Sequence, residues 1–404
     1  MTQQHSHGRR WQRVLTGGAI AGILLLGGCS EEPTEANSPV ANLPLAGFTT
    51  RDTTLPAIQG KFLRQYSTME GAVNLIGRNG SYTALTVLQF SAGAFPARDT
   101  IAVYSATVRL QGITWYGTAG APFDFTVHRI NRSWSSYTLT WDTVQAGFYE
   151  SLSRGSYTGS LTGDTAGITV SLDTAMVREW FATATTSTTT KFGIVLVPGA
   201  ATQNAVRGLA PFDVADSTSY FPTLTVIAGS VSGTSRDTTV FNLGQDTFVG
   251  SDDHGTSPST KIYVQGGVHF RSALLFDMSS IPRGAILNSA VLSLTLDRSA
   301  SSISKFVADT ALAAHTLGDT TTYTNFSSQD ATMFGRPVAG SSTFAFNIRE
   351  AAQSWLRGPN YGLLIRVPTA SEYSTPDCYV FHSVTAAPDS LRPRLRILYS
   401  VKAN

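Results

Sequence analysis

Residue types that carry chemistry are few and dispersed in this chain. It holds two cysteines and seven histidines among 404 residues. The histidines beyond the N-terminal segment occur singly, at His128, His254, His269, His315 and His382. Hydrolases and metal enzymes show spacings such as G-x-S-x-G or H-E-x-x-H, and neither is present, nor is a phosphate-binding loop. We therefore predict that the protein is not an enzyme.

One oxygen-rich stretch has the composition of a cation site. Residues 244–255, GQDTFVGSDDHG, contain Asp246, Asp252 and Asp253. Calcium ions bind carboxylate and carbonyl oxygens of this kind, so a structural calcium is one interpretation. A solvated polar loop explains the same composition and is the interpretation we favour. No metal and no other cofactor is therefore predicted.

Aromatic side chains supply the candidate ligand-binding residues. Trp115 and Tyr116 lie in GITWYGTAGAP, a glycine-rich stretch that we interpret as a loop without an obvious core to fill. Sugar rings present apolar C–H faces that pack on flat aromatic side chains. Trp115 and Tyr116 are the first candidates for such a contact. Trp134 and Trp141 are further candidates, with packing in the core as the favoured alternative.

The first cysteine lies where an apolar segment ends. Basic residues at Arg9, Arg10 and Arg13 precede that segment, which has the form of a secretory signal and is too short to span a bilayer as a helix. The end of the segment, LGGC, resembles the lipobox of bacterial lipoproteins. The resemblance implies cleavage before Cys29 and a lipid on its thiol, and Ser30 after it implies sorting to the outer membrane. A signal peptide with an incidental cysteine and a short membrane anchor are the alternatives.

Composition favours an exported β protein without nucleic-acid partners. The net charge is +2 and only 14% of residues are charged, so no basic surface for nucleic acid is indicated. If Cys29 carries a lipid, Cys378 has no partner for an intrachain disulfide. Cys378 lies in a strand-like run, which predicts a small buried residue, with a thiol for dimer formation as the alternative.

The chain contains an internal repeat. RDTT recurs at residues 51–54 and 236–239, and Phe90 in LQFSAGAFP corresponds to Phe276 in LFDMSSIP. Trp180 in MVREWF corresponds to Trp355 in AAQSWL, and further matches follow in the same order. We therefore predict a signal peptide (1–28), a flexible tether (29–46), two homologous domains (47–227 and 236–404) and a joint (228–235).

Alternating apolar and polar residues predict strands throughout both halves. SAVLSLTLD and PTLTVIA show the period of two that is typical of strands with one buried face. Each half has one apolar stripe at helical spacing, in LDTAMVREWFA and NIREAAQSWLRG. The predicted fold class is all-β, with two tandem jelly-roll-like β-sandwich domains that each carry one short helix.

Several stretches resemble the DNRLRE domain family. They are residues 246–294, AAQSWLRGPNYGLLIRV, RPRLRILYS and, in the first half, VHRINRSWSSYTLTW. The resemblance implies a β-sandwich module of surface and secreted prokaryotic proteins, some of them classed as carbohydrate-binding. The second half departs from the family pattern because HTLGDTTTYTNFSS replaces the tryptophan motif.

These observations predict a lipid-anchored surface protein without catalytic activity. Its partners would be the lipid bilayer, through the lipid on Cys29, and a polysaccharide bound by a β-sandwich. Two copies on one chain would strengthen weak single-site binding. The alternative is a structural or adhesive lipoprotein that contacts other proteins or the extracellular matrix.

Overall fold

The computed structural model describes most of the chain after its N-terminal segment. The described residues are 47–64, 69, 73–91, 100–144, 147–163, 166–183, 193–212, 222–254, 260–304, 310–319 and 332–403. The predicted signal peptide, the predicted tether and Cys29 lie outside them. None of the helices in the described residues has the length and apolarity needed to cross a membrane.

Strands dominate the described residues and confirm the predicted all-β fold class. The strands are β1 (Phe48–Arg64), β2 (Asn74–Asn79), β3 (Tyr82–Phe90), β4 (Ile101–Gly117), β5 (Pro122–Ile130), β6 (Tyr149–Ser160), β7 (Gly167–Ser171), β8 (Gly193–Pro198), β9 (Asn204–Leu209), β10 (Thr223–Ser230), β11 (Asp237–Ser251), β12 (Lys261–Gln265), β13 (Phe270–Phe276), β14 (Ile286–Thr295), β15 (Leu312–Thr316), β16 (Met333–Pro337), β17 (Thr343–Asn347), β18 (Leu363–Arg366), β19 (Cys378–His382) and β20 (Arg394–Lys402). The helices are α1 (Thr174–Thr183), α2 (Arg349–Trp355) and the single turn α3 (Thr369–Glu372).

The strands form two ten-stranded sheets, and each sheet folds back on itself. We call the set β2–β11 the first sandwich; its order is β11-β10-β4-β9-β2-β3-β8-β5-β6, with β7 beside β4. We call β1 together with β12–β20 the second sandwich; its order is β1-β20-β14-β17-β16-β15-β18-β13-β12-β19. In each sandwich one long strand closes the circuit, since β11 also pairs with β3 and β1 also pairs with β13.

The two closing strands occupy equivalent places. Both have a register shift in the pairing that closes the circuit, between Ala57 and Gln59 in β1 and between Leu243 and Gln245 in β11. Ala57 there lies opposite Phe276, and Leu243 lies opposite Phe90. Phe90 and Phe276 are the phenylalanines that the sequence repeat aligned, and each lies opposite the closing strand of its sandwich.

The distribution of the closing strands differs from a simple tandem arrangement. The strand that opens the second repeat, β11, pairs with β10 and β3 of the first half, whereas β1 pairs with β13 and β20 of the second half. Residues 228–235, predicted as a flexible joint, end β10 and form a hairpin turn in which Val231 N donates to Thr100 O at 3.2 Å. A short hairpin brings β11 beside β10 at low entropic cost, which leaves the place beside β20 to β1.

Each sandwich encloses its own hydrophobic core. The helices contribute the side chains that the helical stripes predicted, because Met176 and Trp180 of α1 are buried in the first core and Ala352 and Trp355 of α2 in the second. Asp173 precedes α1 and accepts from Ala175 N at 2.8 Å, which satisfies one free donor of its first turn. The apolar residues at helical and strand spacing in the sequence therefore correspond to side chains buried inside the two sandwiches.

A third apolar cluster joins residues of both sandwiches. It contains Leu75, Tyr82 and Phe248 of the first sandwich and Phe270 of the second, with Phe62 of β1 packed against them. The ring of Phe62 lies edge-on to that of Phe270, with centroids 5.3 Å apart. All of this belongs to one compact unit, residues 51–401. Residues 47–50 and 402–403 belong to a separate small unit, in which Ala403 N donates to Gly47 O at 2.8 Å.

A buried ion triad holds α3 against the second sandwich. The Glu372 carboxylate has no solvent exposure; it accepts from Arg271 Nε at 2.8 Å and from Arg366 Nη1 at 2.7 Å. Burial alone would raise the pKa of Glu372, but the hydrogen bond from Arg271 and the charges of Arg271, His269 and Arg366 hold it below its usual value of 4.5. The ionised carboxylate is therefore the form that stabilises the fold.

We expect Glu372→Gln to lower the free energy of unfolding by about 3 kcal/mol at pH 7, because it leaves two guanidinium groups without their counter-charge. A carboxyl whose pKa is lower in the folded state than in the unfolded state stabilises the folded state at pH values above its unfolded-state pKa. That stabilisation is lost as the pH falls through the folded-state pKa. The difference between wild type and variant should therefore shrink below about pH 4.5. Urea unfolding at pH 7 and pH 3 measures it, with the exposed Glu350→Gln as control. An equal difference at both pH values would contradict this assignment.

Candidate functional site

Trp115 and Tyr116 do not form a shared platform. Both lie within strand β4 rather than in a loop, so their side chains point to opposite faces of the sheet. Trp115 packs against the core of the first sandwich, and Tyr116 packs against the cluster that joins the sandwiches. Tyr116 Oη donates to Ser374 O at 2.9 Å, and burial raises the pKa of Tyr116. The interpretation of this stretch as a loop without a core to fill is therefore wrong.

Trp134 and Trp141 are brought together by one apolar cluster. They lie in the segment between β5 and β6, residues 131–148, which we call the aromatic loop. Both indoles are half-buried and pack on side chains that include Val87 of β3 and Val195 of β8. These valines belong to the central strands of the sheet, so the loop covers one face of the first sandwich.

Short-range hydrogen bonds determine the path of the aromatic loop. Leu139 N donates to Ser135 O at 3.0 Å, which closes a turn around Tyr137. A 3-10 turn begins at Trp141, and Thr140 N donates to Thr143 Oγ1 at 2.9 Å, as in a capping box. The serines and threonines of the sequence motif therefore shape the backbone and leave the aromatic rings to pack.

The loop is also fastened to the closing strand β11. Gln245 Nε2 donates to Trp134 O at 3.2 Å, and Gln245 Oε1 accepts from Ser136 N at 3.4 Å. At the base of the loop, Asn131 N donates to Phe148 O at 2.8 Å. A surface loop held at its base and at its centre loses little conformational entropy when a ligand binds, which favours binding.

One tyrosine of the loop projects into solvent. Tyr137 is 73% exposed and stands in the turn between the two half-buried tryptophans. An exposed phenol three and four residues from two half-buried indoles provides an apolar face for a sugar ring and a hydroxyl for hydrogen bonding. Tyr137 was not among the residues predicted from the sequence to bind a ligand. It follows Ser135 and Ser136 and precedes Thr138 in the motif SWSSYTLTW, and this run of residues that favour turns is a signal that could have identified a turn residue.

One cluster of charged and polar groups on the first sandwich is held in ion pairs and hydrogen bonds. Glu150 accepts from Arg154 Nε at 2.5 Å, and this hydrogen bond lowers the pKa of Glu150. Arg154 also donates to Asp173 at 2.6 Å. Both ring nitrogens of His128 have partners, Glu150 O at 3.0 Å and Thr126 Oγ1 at 2.8 Å. These groups stabilise the sheet and are not positioned as a pair of free catalytic groups.

The aspartates of residues 244–255 are separated in the fold. Asp246 accepts from Asn74 Nδ2 and from Phe212 N, Asp252 is buried and accepts from Gln265 Nε2 at 2.6 Å, and Asp253 is exposed. Over the part of the chain that the structure describes, no three His, Cys, Asp or Glu side chains are grouped as metal ligands.

Cys378 is a buried free thiol in β19. Its Sγ lies 3.6 Å from His254 Nε2, and burial raises the pKa of the thiol well above its usual value. A protonated, inaccessible thiol packs as a small apolar residue. This agrees with the packing role that its strand-like context predicts.

The second sandwich carries a cleft of about 520 Å³ beside α2. Its lining includes Leu287, Gln353 and two arginines, Arg349 and Arg357. Gln353 is used by the fold, since its Oε1 accepts from Leu287 N at 2.8 Å. None of the aromatic residues predicted to bind a ligand lies in this cleft.

We expect Gly193→Ala to destabilise the first sandwich, because its added methyl would lie 2.8 Å from Ile130 Cδ1 and 3.2 Å from Trp134 Nε1. Overpacking of this kind costs about 1–3 kcal/mol. The matched control is Gly284→Ala, whose methyl would meet nothing within 4 Å. Chemical denaturation followed by tryptophan fluorescence compares the two. Equal stability of both variants would mean that the Trp134 indole does not rest on Gly193.

Comparison with known proteins does not assign this chain to a family. No protein-family model matches it, and no curated protein matches it. The resemblance to the DNRLRE family stays a prediction from the sequence. The features that bear on function are therefore the geometry of the aromatic loop and the N-terminal sequence.

Proposed function

We propose that this chain is a lipid-anchored, non-catalytic surface protein that binds polysaccharide through the aromatic loop of the first sandwich. The lipid would be carried by Cys29. Trp134, Tyr137 and Trp141 would contact the sugar, and Trp115 and Tyr116 would support the sheet from within. The observation that carries the proposal is the exposed ring of Tyr137 on a loop that the sheet holds in place.

The chemistry of the loop supports a sugar ligand. Aromatic rings bind the C–H faces of a sugar, while hydroxyl and amide groups satisfy its hydroxyls. The loop supplies Tyr137, two half-buried indoles and several serines and threonines. Its charged residues are Arg132 and Asp142, so the loop sequence has no net charge. A neutral polymer therefore fits this surface better than a strongly acidic one.

Anchoring is supported by the N-terminal sequence. The basic residues, the apolar segment and LGGC occur in the order that export and lipidation require. Burial of acyl chains contributes about 0.8 kcal/mol per methylene, so two or more chains on Cys29 would hold the protein at a membrane. The outer membrane or the cell surface is the proposed location.

A structural or adhesive role is the second candidate, and strand β6 favours it. This twelve-residue strand ends the strand order of the first sandwich, beside β5. Its residue Leu152 is 58% exposed. A long strand at a sheet edge can pair with the backbone of another protein.

We expect Cys29→Ser to move the protein from the membrane fraction to the soluble fraction, because the variant has no thiol at position 29 to carry the lipid. Detergent phase separation after expression in a diderm bacterium measures the shift. The matched control is Cys378→Ser, which removes the buried thiol and should stay with the membrane. If the Cys29→Ser protein stays in the detergent phase, the anchor is not a lipid on this residue.

We expect affinity electrophoresis of residues 30–404 to show retardation by at least one neutral polysaccharide. Tyr137→Ala should abolish most of it with a change in stability within about 0.5 kcal/mol, since the side chain is exposed. Tyr104→Ala, an exposed tyrosine of β4 outside the loop, is the matched control. The Trp115→Ala, Tyr116→Ala double variant tests the sites first predicted.

If Tyr137→Ala still binds the polysaccharide and the double variant does not, the binding site lies at the end of β4 instead of in the aromatic loop. The stability of the double variant must be measured in parallel because both residues pack on apolar clusters. Absence of retardation by any polymer would favour the adhesive role, and pull-down with edge-blocked β6 variants would follow.

A further inference from the structure

The second sandwich obtains its closing strand from the opposite end of the chain. β1 follows the N-terminal segment, whereas every other strand of this sandwich lies after residue 260. We propose that the groove between β13 and β20 is a strand-binding site, and that it accepts the N-terminal strand of a second copy of this chain as well as its own. This inference does not depend on polysaccharide binding.

Backbone pairing makes the groove specific for an extended segment. Residues 57–64 run antiparallel along β13, from Ala57 opposite Phe276 to Arg64 opposite Phe270. The preceding part of the strand lies beside β20, and Ala57 N donates to Pro393 O at 3.1 Å. Without β1 these two strands would present unpaired edges, which are the templates on which added strands bind.

Side chains define which segment fits and in which register. Leu55 and Ala57 are buried in the core of the second sandwich, and Phe62 packs where the sandwiches meet. At the outer end, Asp52 accepts from Arg396 Nη2 at 2.6 Å, and this hydrogen bond lowers the pKa of Asp52. A shift of one residue would expose Leu55 and bury polar neighbours.

The strand can leave without opening the first sandwich. That sandwich has a complete set of strands in β2–β11, because the β10–β11 hairpin supplies its closing strand. Residues 65–73 connect β1 to β2, and Met69 within this connection is buried and forms a bridge with Phe248 of β11. With Met69 in place, residues 65–68 give the strand a reach of about 13 Å when extended. β1 therefore contacts the second sandwich without a direct covalent connection, because the chain passes through all the strands of the first sandwich before it reaches β12.

The partner we propose for the groove is a second copy of this chain, because that copy carries the same strand. In dilute solution the covalent link gives a molecule's own strand an effective concentration of roughly millimolar, so the closed monomer dominates. Copies that fold close together can exchange strands, as in domain swapping. Donor strand and acceptor groove are different surfaces, so exchange links copies in pairs or in chains.

The test uses residues 30–404 with a specific protease site inserted between residues 65 and 72. After cleavage we expect the strand to stay bound through gel filtration at low temperature. On warming, a fluorescein-labelled peptide of residues 48–64 should replace it, as followed by anisotropy. A Leu55→Asp peptide should bind at least about 30-fold more weakly. An Ile58→Asp peptide is the matched control, because Ile58 is 57% exposed and should change binding less than about threefold.

The second-copy arm mixes the cleaved acceptor, whose strand has been removed by dilution and warming, with a labelled uncut chain. Both are brought to about millimolar concentration, at which an empty acceptor competes with the uncut chain's own groove for the strand. We expect a species of about twice the monomer mass that contains both proteins and is dispersed by excess peptide. The groove is not a strand site if the strand leaves on cleavage, the anisotropy of the labelled peptide does not change, and the peptide does not raise the thermal stability of the cleaved protein. If the peptide binds and the uncut chain does not join, the second copy is the wrong partner.

Discussion

Backbone hydrogen bonding at strand edges is the constraint on which this structure depends. A sheet that folds back on itself needs one strand long enough to pair at two edges, and β11 and β1 do this for the two sandwiches. Because unpaired backbone groups are costly in an apolar interior, each sandwich must find such a strand. The hairpin after β10 supplies β11 locally, and the second sandwich takes the strand at the other end of the chain.

This arrangement ties the two sandwiches into one compact unit. β1 runs from Asp52, paired with Arg396, to Phe62, which packs with residues of both sandwiches. The buried Glu372, held by Arg271 and Arg366, then fixes α3 on the second sandwich near this contact. The closing strand of the second sandwich and the aromatic loop of the first therefore belong to the same compact unit, residues 51–401.

The two repeats share a framework and differ in what they carry on it. The first sandwich supports the aromatic loop on Val87 and Val195. Among the residues that the structure describes, the second has a smaller apolar cluster around Leu317 and Leu364. The second repeat lacks the tryptophan motif in its sequence. A duplicated fold has thus been retained for strand pairing and packing, while the proposed ligand surface is confined to one copy.

The sequence by itself determined the all-β class, the repeat and the helices around Trp180 and Trp355, because side-chain periodicity reports directly on which faces are buried. It also identified the motif that holds Trp134 and Trp141. It could not show that Tyr116 reaches Ser374, or that Gln245 fastens the aromatic loop, since these contacts join residues far apart in the chain. The exchange of closing strands was likewise decided only by tertiary structure. RDTT lies in the first part of both strands, so this motif does not show which groove each strand enters. The short β10–β11 connection places β11 beside β10.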